Sequence, residues 1–378
     1  MDYVMYTGNI SYWRSYYPAV LNVLDKYYVS HTNSATSLIE RPGSTGDFAF
    51  LPRTGPVTYY NTLYVYALSY AARLAEMLGK DDDASRWRFR ASVIGPALLK
   101  RNFDHEVGAF FDGGPCDGTI ICPTHAQDGN SLAILSGVVS SGLSYNNTSI
   151  AESILTFMNR TMSRPYGNSF YDNDVLKPGS DYSHRVYAFI SYFEIAARFR
   201  VSSKTSQGAL EELRRIYGWM ATHDPTVTAW EGIGAGGKPY ESGFTSMSHG
   251  WSTGVVPLLT NYVLGVTPTS PGFNTWALRP SINSVDELVW ARGAVPVPDG
   301  GHIWVQWEKT HQGLVFVVEV PEGTQGMVVV PLVVGDNSVS VNGVTVHRAL
   351  ASQKGSNVEL VNYISLTLLG GKHRVVVN

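Results

Sequence analysis

The spacing of apolar residues changes once along this chain, near residue 266, and that change limits what it can fold into. Before it the period is helical. Leu63, Tyr66, Ala67, Tyr70, Leu74 and Met77 recur on one helix face between Pro56 and Gly79. Leu210, Leu213, Ile216 and Tyr217 do the same, with Glu211, Glu212, Arg214 and Arg215 on the opposite side. The stretch from Val186 to Phe199 is apolar nearly all round, which predicts a helix buried between others. Such segments predict about eight helices, near 11–28, 58–78, 82–102, 129–140, 149–159, 183–199, 206–221 and 247–264. Long loops rich in Gly, Pro, Asp and aromatic residues separate alternate pairs, at 41–56, 104–127, 163–181 and 223–245. Helix hairpins joined in this way predict a toroid, with apolar inner helices and the loops gathered at one end. Long loops on a rigid scaffold are where function concentrates.

After residue 266 the period falls to two. Ile303, Val305 and Trp307 alternate with polar neighbours, as do Leu314, Phe316, Val318 and Val320. Val341-Asn342-Gly343-Val344 is a two-residue hairpin signal, because Asn-Gly tolerates the positive φ of a type I′ turn. The expectation is an antiparallel β-sandwich over 267–378, after a helical domain over 1–266, with Pro268-Thr269-Ser270-Pro271-Gly272 at the junction. At the other end, Asp2 to Tyr6 reads as the end of a helix closed by Gly8, too short to be stable alone. A chain opening in this way is expected to begin in the middle of a fold.

Composition removes several function classes. With 378 residues, 44% apolar and 16% charged, the chain is globular and larger than one ordinary domain. Lys and Arg number 28 against 31 Asp and Glu, a net charge of −3 with no basic stripe, so no nucleic-acid partner is expected. The longest apolar stretches, such as Met327 to Val334, are far shorter than a bilayer span, and no membrane partner is expected. Cys116 and Cys122 lie in a Gly/Pro-rich loop and are either a small-loop disulfide or two free thiols. Their spacing and the absence of His partners argue against zinc. Glycosylation sequons begin at Asn9, Asn146, Asn147 and Asn159 and lean towards an extracellular protein. Met1-Asp2-Tyr3 opens with neither the charged nor the apolar region of a signal peptide.

Four segments can carry chemistry. Trp230-Glu231 stands at the mouth of a Gly-rich loop (G-I-G-A-G-G-K-P). Trp beside Glu suits a sugar site, where the ring stacks on a pyranose and the acid works on a bond or a water. The plain alternative is a surface Trp and a solvated Glu. Ser248-His249-Gly250-Trp251 opens the predicted 247–264 helix, with Ser248 as its cap. His249 can bond sugar hydroxyls or be an ordinary buried histidine. Gly46-Asp47-Phe48 is the third segment. Gln127-Asp128-Gly129-Asn130-Ser131 is the fourth, where Asp128 and Asn130 read as helix N-caps. Asp81, Asp82 and Asp83 form a helix-start cluster. No phosphate-cradling loop, G-x-S-x-G elbow or H-E-x-x-H is present, so neither cofactor nor metal is expected.

The run from Trp230 to Phe273 (W-E-G-I-G-A-G-G-K-P-Y-E-S-G-F-T-S-M-S-H-G-W-S-T-G…) resembles the α-L-rhamnosidases, six-hairpin glycosidases, in their fungal-type form. Y-T-G-N-I-S-Y-W-R-S-Y-Y-P near the start, G-D-F-A-F-L-P-R-T-G-P-V-T-Y-Y-N-T-L-Y at 46–64 and Q-D-G-N-S-L-A-I-L-S-G at 127–137 support it in collinear order. The resemblance implies a partial (α/α)6 toroid, about eight of twelve helices, followed by a β-sandwich. It also implies inverting hydrolysis of terminal α-L-rhamnosides by two carboxyl groups roughly 6.5–9.5 Å apart. Glu231 falls on the family's general base, and His249 and Trp251 fall on its sugar-pocket motif; Trp230 stays a substrate-binding candidate as the ring beside Glu231. Asp47 matches an Asp followed by Trp in many relatives; here Phe48 follows. The family's general acid lies in a motif like D-x-x-E-R-x-x-W-x-G-D, upstream of the Y-T-G run with which this chain starts, so the acid is expected to be missing. Glu40-Arg41-Pro42-Gly43-Ser44-Thr45-Gly46-Asp47 imitates that motif, but it lacks the Trp and follows the Y-T-G run, so Glu40 is set aside. Two alternatives stand beside an active rhamnosidase: an inactive carbohydrate-binding remnant, and a six-hairpin hydrolase of another α-linked sugar.

Overall fold

The computed structural model describes residues 1–41, 47–48, 51, 53–139, 143–145, 148–224, 226–240, 244–282, 287–298, 300–311, 313–332, 338–348 and 362–378. The sequons at Asn146 and Asn147 lie outside the described residues. The chain forms two compact units. One comprises Ser15–Val255, and the other joins Met1–Arg14 to Val256–Asn378.

The first unit is helical. Its main elements are the end of α2 (Ile10–Asn22, continued by a π turn and a last turn to Ser30), α3 (Thr58–Glu76), α4 (Asp81–Asn102), α5 (Gln127–Leu135), α6 (Ile150–Thr161), α7 (Ala188–Val201) and α8 (Ser203–Leu213, continued by a π turn to His223). Local chemistry sets several ends. α4 opens on Asp81, Asp82 and Asp83 and closes on Lys100 and Arg101, matching the helix dipole at both termini. The Ser149 hydroxyl caps α6 by accepting from Glu152 N–H, and Ser202 with Thr205 forms a capping box on α8. α3, α5 and α7 pack side by side in chain order, with α4 outside α3 and α8 outside α7. This alternation of inner and outer helices is part of an (α/α)6 toroid. Gly129 permits the close approach of α5 to α3, since a Cβ there would stand 3.0 Å from Thr58.

Three expectations for the helical part of the chain change. The helix foreseen from residue 183 begins at Ala188, because Val186 pairs with Ile233 and the Arg185 carbonyl accepts from Phe170 N–H. Asp128 and Asn130 are not caps. Ala126 holds that position, Asp128 turns to Arg53, and the Asn130 amide bonds both the N–H and C=O of Phe110. The single helix foreseen over 247–264 is a 3-10 turn at Gly250–Ser252, a short α9 (Val255–Leu258) and a π turn at Leu259–Leu264. Ser248 makes no capping bond there.

In the second unit a six-stranded sheet faces a four-stranded one. Its strands are β1 (Val266–Pro268), β2 (Thr275–Leu278), β3 (Trp290–Pro296), β4 (His302–Thr310), β5 (Gly313–Val320), β6 (Gln325–Leu332), β7 (Ser338–Val341), β8 (Val344–Arg348), β9 (Asn362–Leu368) and β10 (Gly371–Val377). The orders are β8-β7-β10-β5-β4-β3 and β9-β6-β2-β1. Trp307 opposes Phe316, and Phe316 opposes Val375; all three are fully buried in the core between the sheets with Trp276 and Phe273. Burial of each such side chain contributes about 1.5–3 kcal/mol. The sandwich is antiparallel except where β6 pairs with β2 in parallel. The foreseen hairpin is present, with Asn342 and Gly343 at φ 51° and 81°.

The N-terminal fragment belongs to this second unit. α1 (Asp2–Thr7) closes on Gly8 at φ 71°, as the sequence predicts. Its stability comes from packing: Tyr6 stands edge-on to Phe273 at 5.2 Å and donates to Asn261, and Gly8 lies against Gly272.

Candidate active site

Glu231 is presented by two paired loop segments. Its own N–H donates to the Ser246 carbonyl (2.8 Å), and His249 N–H donates to the Ala229 carbonyl (2.9 Å). Asp224 anchors the base of this ribbon. It accepts from the Thr226 N–H and hydroxyl, from the Thr228 hydroxyl and from Trp230 Nε1, and these donors hold its carboxyl well below the usual carboxylate range. The Glu231 carboxylate accepts the Tyr240 hydroxyl on Oε1 (2.8 Å) and the Ser246 N–H on Oε2 (2.9 Å). His249 Nδ1 stands 3.8 Å from Oε2, with the two side chains 33% and 21% exposed. Trp251 donates its Nε1 to the Glu231 carbonyl, stacks on Phe189 at 5.5 Å and touches the His249 ring.

Of the residues singled out in the sequence, Glu231, His249 and Trp251 therefore come together on a half-open surface. Trp230 does not join them. It is 2% exposed, its ring nitrogen is bonded to Asp224, and its carbonyl accepts from Ser252. It supports the loop from within and offers no face for stacking, against the stacking role expected of it.

From Asp47, a chain of ring contacts runs through its neighbour Phe48 to that surface. Phe48 meets Phe189 and Tyr187 edge-on; Phe189 stacks on Trp251, and Tyr187 meets the Tyr240 that bonds Glu231. Asp47 Oδ2 accepts from Arg53 and from the Tyr60 hydroxyl, both at 3.2 Å. It lines a cavity of about 380 Å³ together with Glu40, His31, Tyr60 and Tyr64. Glu40 accepts from the Asn33 amide at 2.7 Å.

Sequence reasoning missed what lies beneath Asp47. Arg53 is fully buried and faces three carboxylates: Asp47, Asp112 (2.8 Å) and Asp128 (2.7 Å). The Tyr171 hydroxyl accepts from Arg53 Nε, and the rings of Tyr59, Phe170 and Tyr171 surround the guanidinium. Burial pushes Asp128 up to about 6, against the pull of Arg53, and raises Asp112 as well. Asp112 Oδ2 is buried without a hydrogen bond. A second buried network ties α5, α7 and α8. Glu194 accepts from Asn168, Gln127 and Arg198, while burial and the nearby Glu194 charge push Glu212 up to about 7. Which distant charged residues meet, whether they stand in loops or on helices, leaves no periodic signal, so neither network was legible. Tyr240 was missed too, although Gly232 and Gly234 ahead of it mark a chain that folds back on itself.

The cysteines form a disulfide, Cys116–Cys122. Asp174, Asp181 and His184 bring metal-capable atoms within 4.8 Å of one another on a loop, but both Asp174 oxygens accept from Ser183. Among the described residues no helix is long and apolar enough to cross a membrane.

Residues 265–345 match the family model described as the bacterial alpha-L-rhamnosidase C-terminal domain. No curated protein matches the chain. Among solved structures, the GH78 family rhamnosidase of Bacillus sp. GL1 is 24% identical, with 86% of this chain and 33% of that one covered at a TM-score of 0.62. The α-L-rhamnosidase from Dictyoglumus thermophilum is 15% identical, with 99% and 38% covered at 0.67. The Streptomyces avermitilis α-L-rhamnosidase, solved with L-rhamnose, is 17% identical, with 99% and 32% covered at 0.62. The chain thus spans about a third of the length of each. In sequence over residues 265–345 and in fold over nearly its whole length, this chain resembles the α-L-rhamnosidases.

Proposed function

We propose that this chain carries the base side of an inverting α-L-rhamnosidase-type glycoside hydrolase, with Glu231 as the general base. The supporting observation is the meeting of Glu231, His249 and Trp251 on one half-open surface. Such a grouping supplies a carboxylate to draw a proton from water, an imidazole to bond sugar hydroxyls and an indole face for the deoxysugar. The substrate class is a terminal α-L-rhamnoside, as the rhamnose complex of the Streptomyces relative suggests. Asp47 binds sugar hydroxyls from the neighbouring cavity. An extracellular location accords with the disulfide and with the exposed sequons at Asn9 and Asn159.

Glu231→Gln is the direct test, with turnover of an aryl α-L-rhamnoside and rhamnose binding by calorimetry measured together. Turnover is expected to vanish while binding persists. Retained turnover would remove Glu231 from the base role.

A second reading has its own support. Asp47 and Glu40 both act as hydrogen-bond acceptors within the protein, an arrangement unlike that of a proton donor aimed at a leaving group. General acid catalysis is worth about 10²–10⁴-fold. On this reading the chain binds rhamnosides and turns them over extremely slowly. Rhamnose binding without measurable turnover in the parent chain would favour it.

A further inference from the structure

Glu231 stops short of His249. The 3.8 Å between Oε2 and Nδ1 is beyond hydrogen-bond reach, although the two side chains lie on paired loop segments. The restraint comes from the two donors on the carboxylate. Ser246 N–H fixes Oε2 and the Tyr240 hydroxyl fixes Oε1, so the carboxylate cannot turn without losing one of them. Tyr240 is itself fixed. It is 7% exposed, edge-on to Tyr187 at 5.4 Å, with the Arg185 guanidinium 5.7 Å from its ring centre. Two glycines make room for it. A Cβ on Gly232 would lie 2.7 Å from the Tyr240 ring, and one on Gly234 would lie 2.9 Å from its Cα. The chain thus forgoes side chains at two positions between Glu231 and Tyr240, and the phenol passes beneath the carboxylate.

We propose that Tyr240 is a positioning residue that holds Glu231 away from His249, keeping open a gap in which one water or one sugar hydroxyl bonds both groups. The inference rests on the reading of Glu231 as the base. An Oε2 that accepts from the imidazole as well as from Ser246 N–H has both its lone pairs engaged and none left to receive a proton from water. Without the phenol, the His249 imidazole 3.8 Å away is a side-chain partner among the described residues, and the gap closes.

Tyr240→Phe removes one oxygen and keeps the ring in its packing. In a crystal structure of the full chain carrying this change, a Glu231 oxygen is expected within about 3 Å of His249 Nδ1. On an aryl α-L-rhamnoside, kcat is expected to fall roughly ten- to a hundredfold with KM changed less than about twofold, the split that marks lost positioning rather than lost binding. Gly234→Ala is the second variant: the phenol stays but is displaced, and the same closure is expected. A Tyr240→Phe structure that keeps the parent separation overturns the proposal, and so does unchanged kcat in that variant when Glu231→Gln is inactive. The crystallographic measurement needs no turnover. Failure of the Glu231→Gln test instead strikes the base reading and leaves the structural question to be answered separately.

Discussion

Replacing Arg53 with Met tests whether the buried ionic cluster governs the helical unit. Arg53 is fully buried and is the common partner of Asp47, Asp112 and Asp128, two of them on it at 2.8 Å or less. Methionine fills much of the aliphatic volume and removes the charge. Breaking a buried ion pair from one side costs about 3–5 kcal/mol, because the abandoned charge stays desolvated. For a unit of this size, each kcal/mol lowers Tm by roughly 2–4 °C, so the loss near neutral pH is roughly 6–20 °C. The pH dependence follows from the sign of the shifts. Burial already raises Asp128 to about 6 and raises Asp112, so the folded state favours their protonated forms. Stability from Asp128 is complete below the unfolded carboxylate value, about 4, and declines as pH rises through about 6; the raised Asp112 acts in the same direction. Without the guanidinium both carboxyls rise further, so the deficit of the variant is small near pH 4 and grows towards pH 8. Thermal unfolding of parent and variant by circular dichroism across that range measures it. A deficit independent of pH, or below about 1 kcal/mol at neutral pH, would refute the electrostatic account.

Further outcomes follow from the same structure. In the parent chain, Asp128 and Glu212, raised to about 6 and about 7, make Tm fall as pH rises from about 4.5 through about 7. The depressed carboxyl of Asp224 contributes stability that is lost at the acid end, so a scan of Tm against pH should peak between about 4 and 6; a maximum above pH 7 would contradict this. Gly343→Ala places a Cβ at φ 81° in the β7–β8 turn and should cost about 1–2 kcal/mol, read by chemical denaturation of the sandwich unit. Loss of turnover in Glu231→Gln, and closure of the Glu231–His249 gap in Tyr240→Phe, complete the set.

The amino-acid sequence by itself determined the two regimes and several of the local turns and helix ends. Periods of 3.6 and 2 are local properties, so Leu63 to Met77 and Leu314 to Val320 announced a helix and a strand without reference to the rest of the chain. The Asn342-Gly343 turn, the Gly8 closure and the Asp81–Asp83 helix start were legible for the same reason, since backbone torsion and the helix dipole act within one turn. Tertiary structure decided everything that depends on which distant groups meet. It turned Trp230 inward onto Asp224 and left Trp251 outside, a choice that the letters W-E and G-W do not contain. It made Asp128 a partner of Arg53 across 75 residues rather than a cap, because a buried guanidinium outcompetes a helix terminus that the backbone can satisfy. It stabilised the six-residue α1 by seating Tyr6 on Phe273, contacts that a short helix lacks in isolation. Local torsion and periodicity are written residue by residue, whereas burial, charge pairing and the gap beside Glu231 exist only once the loops have closed.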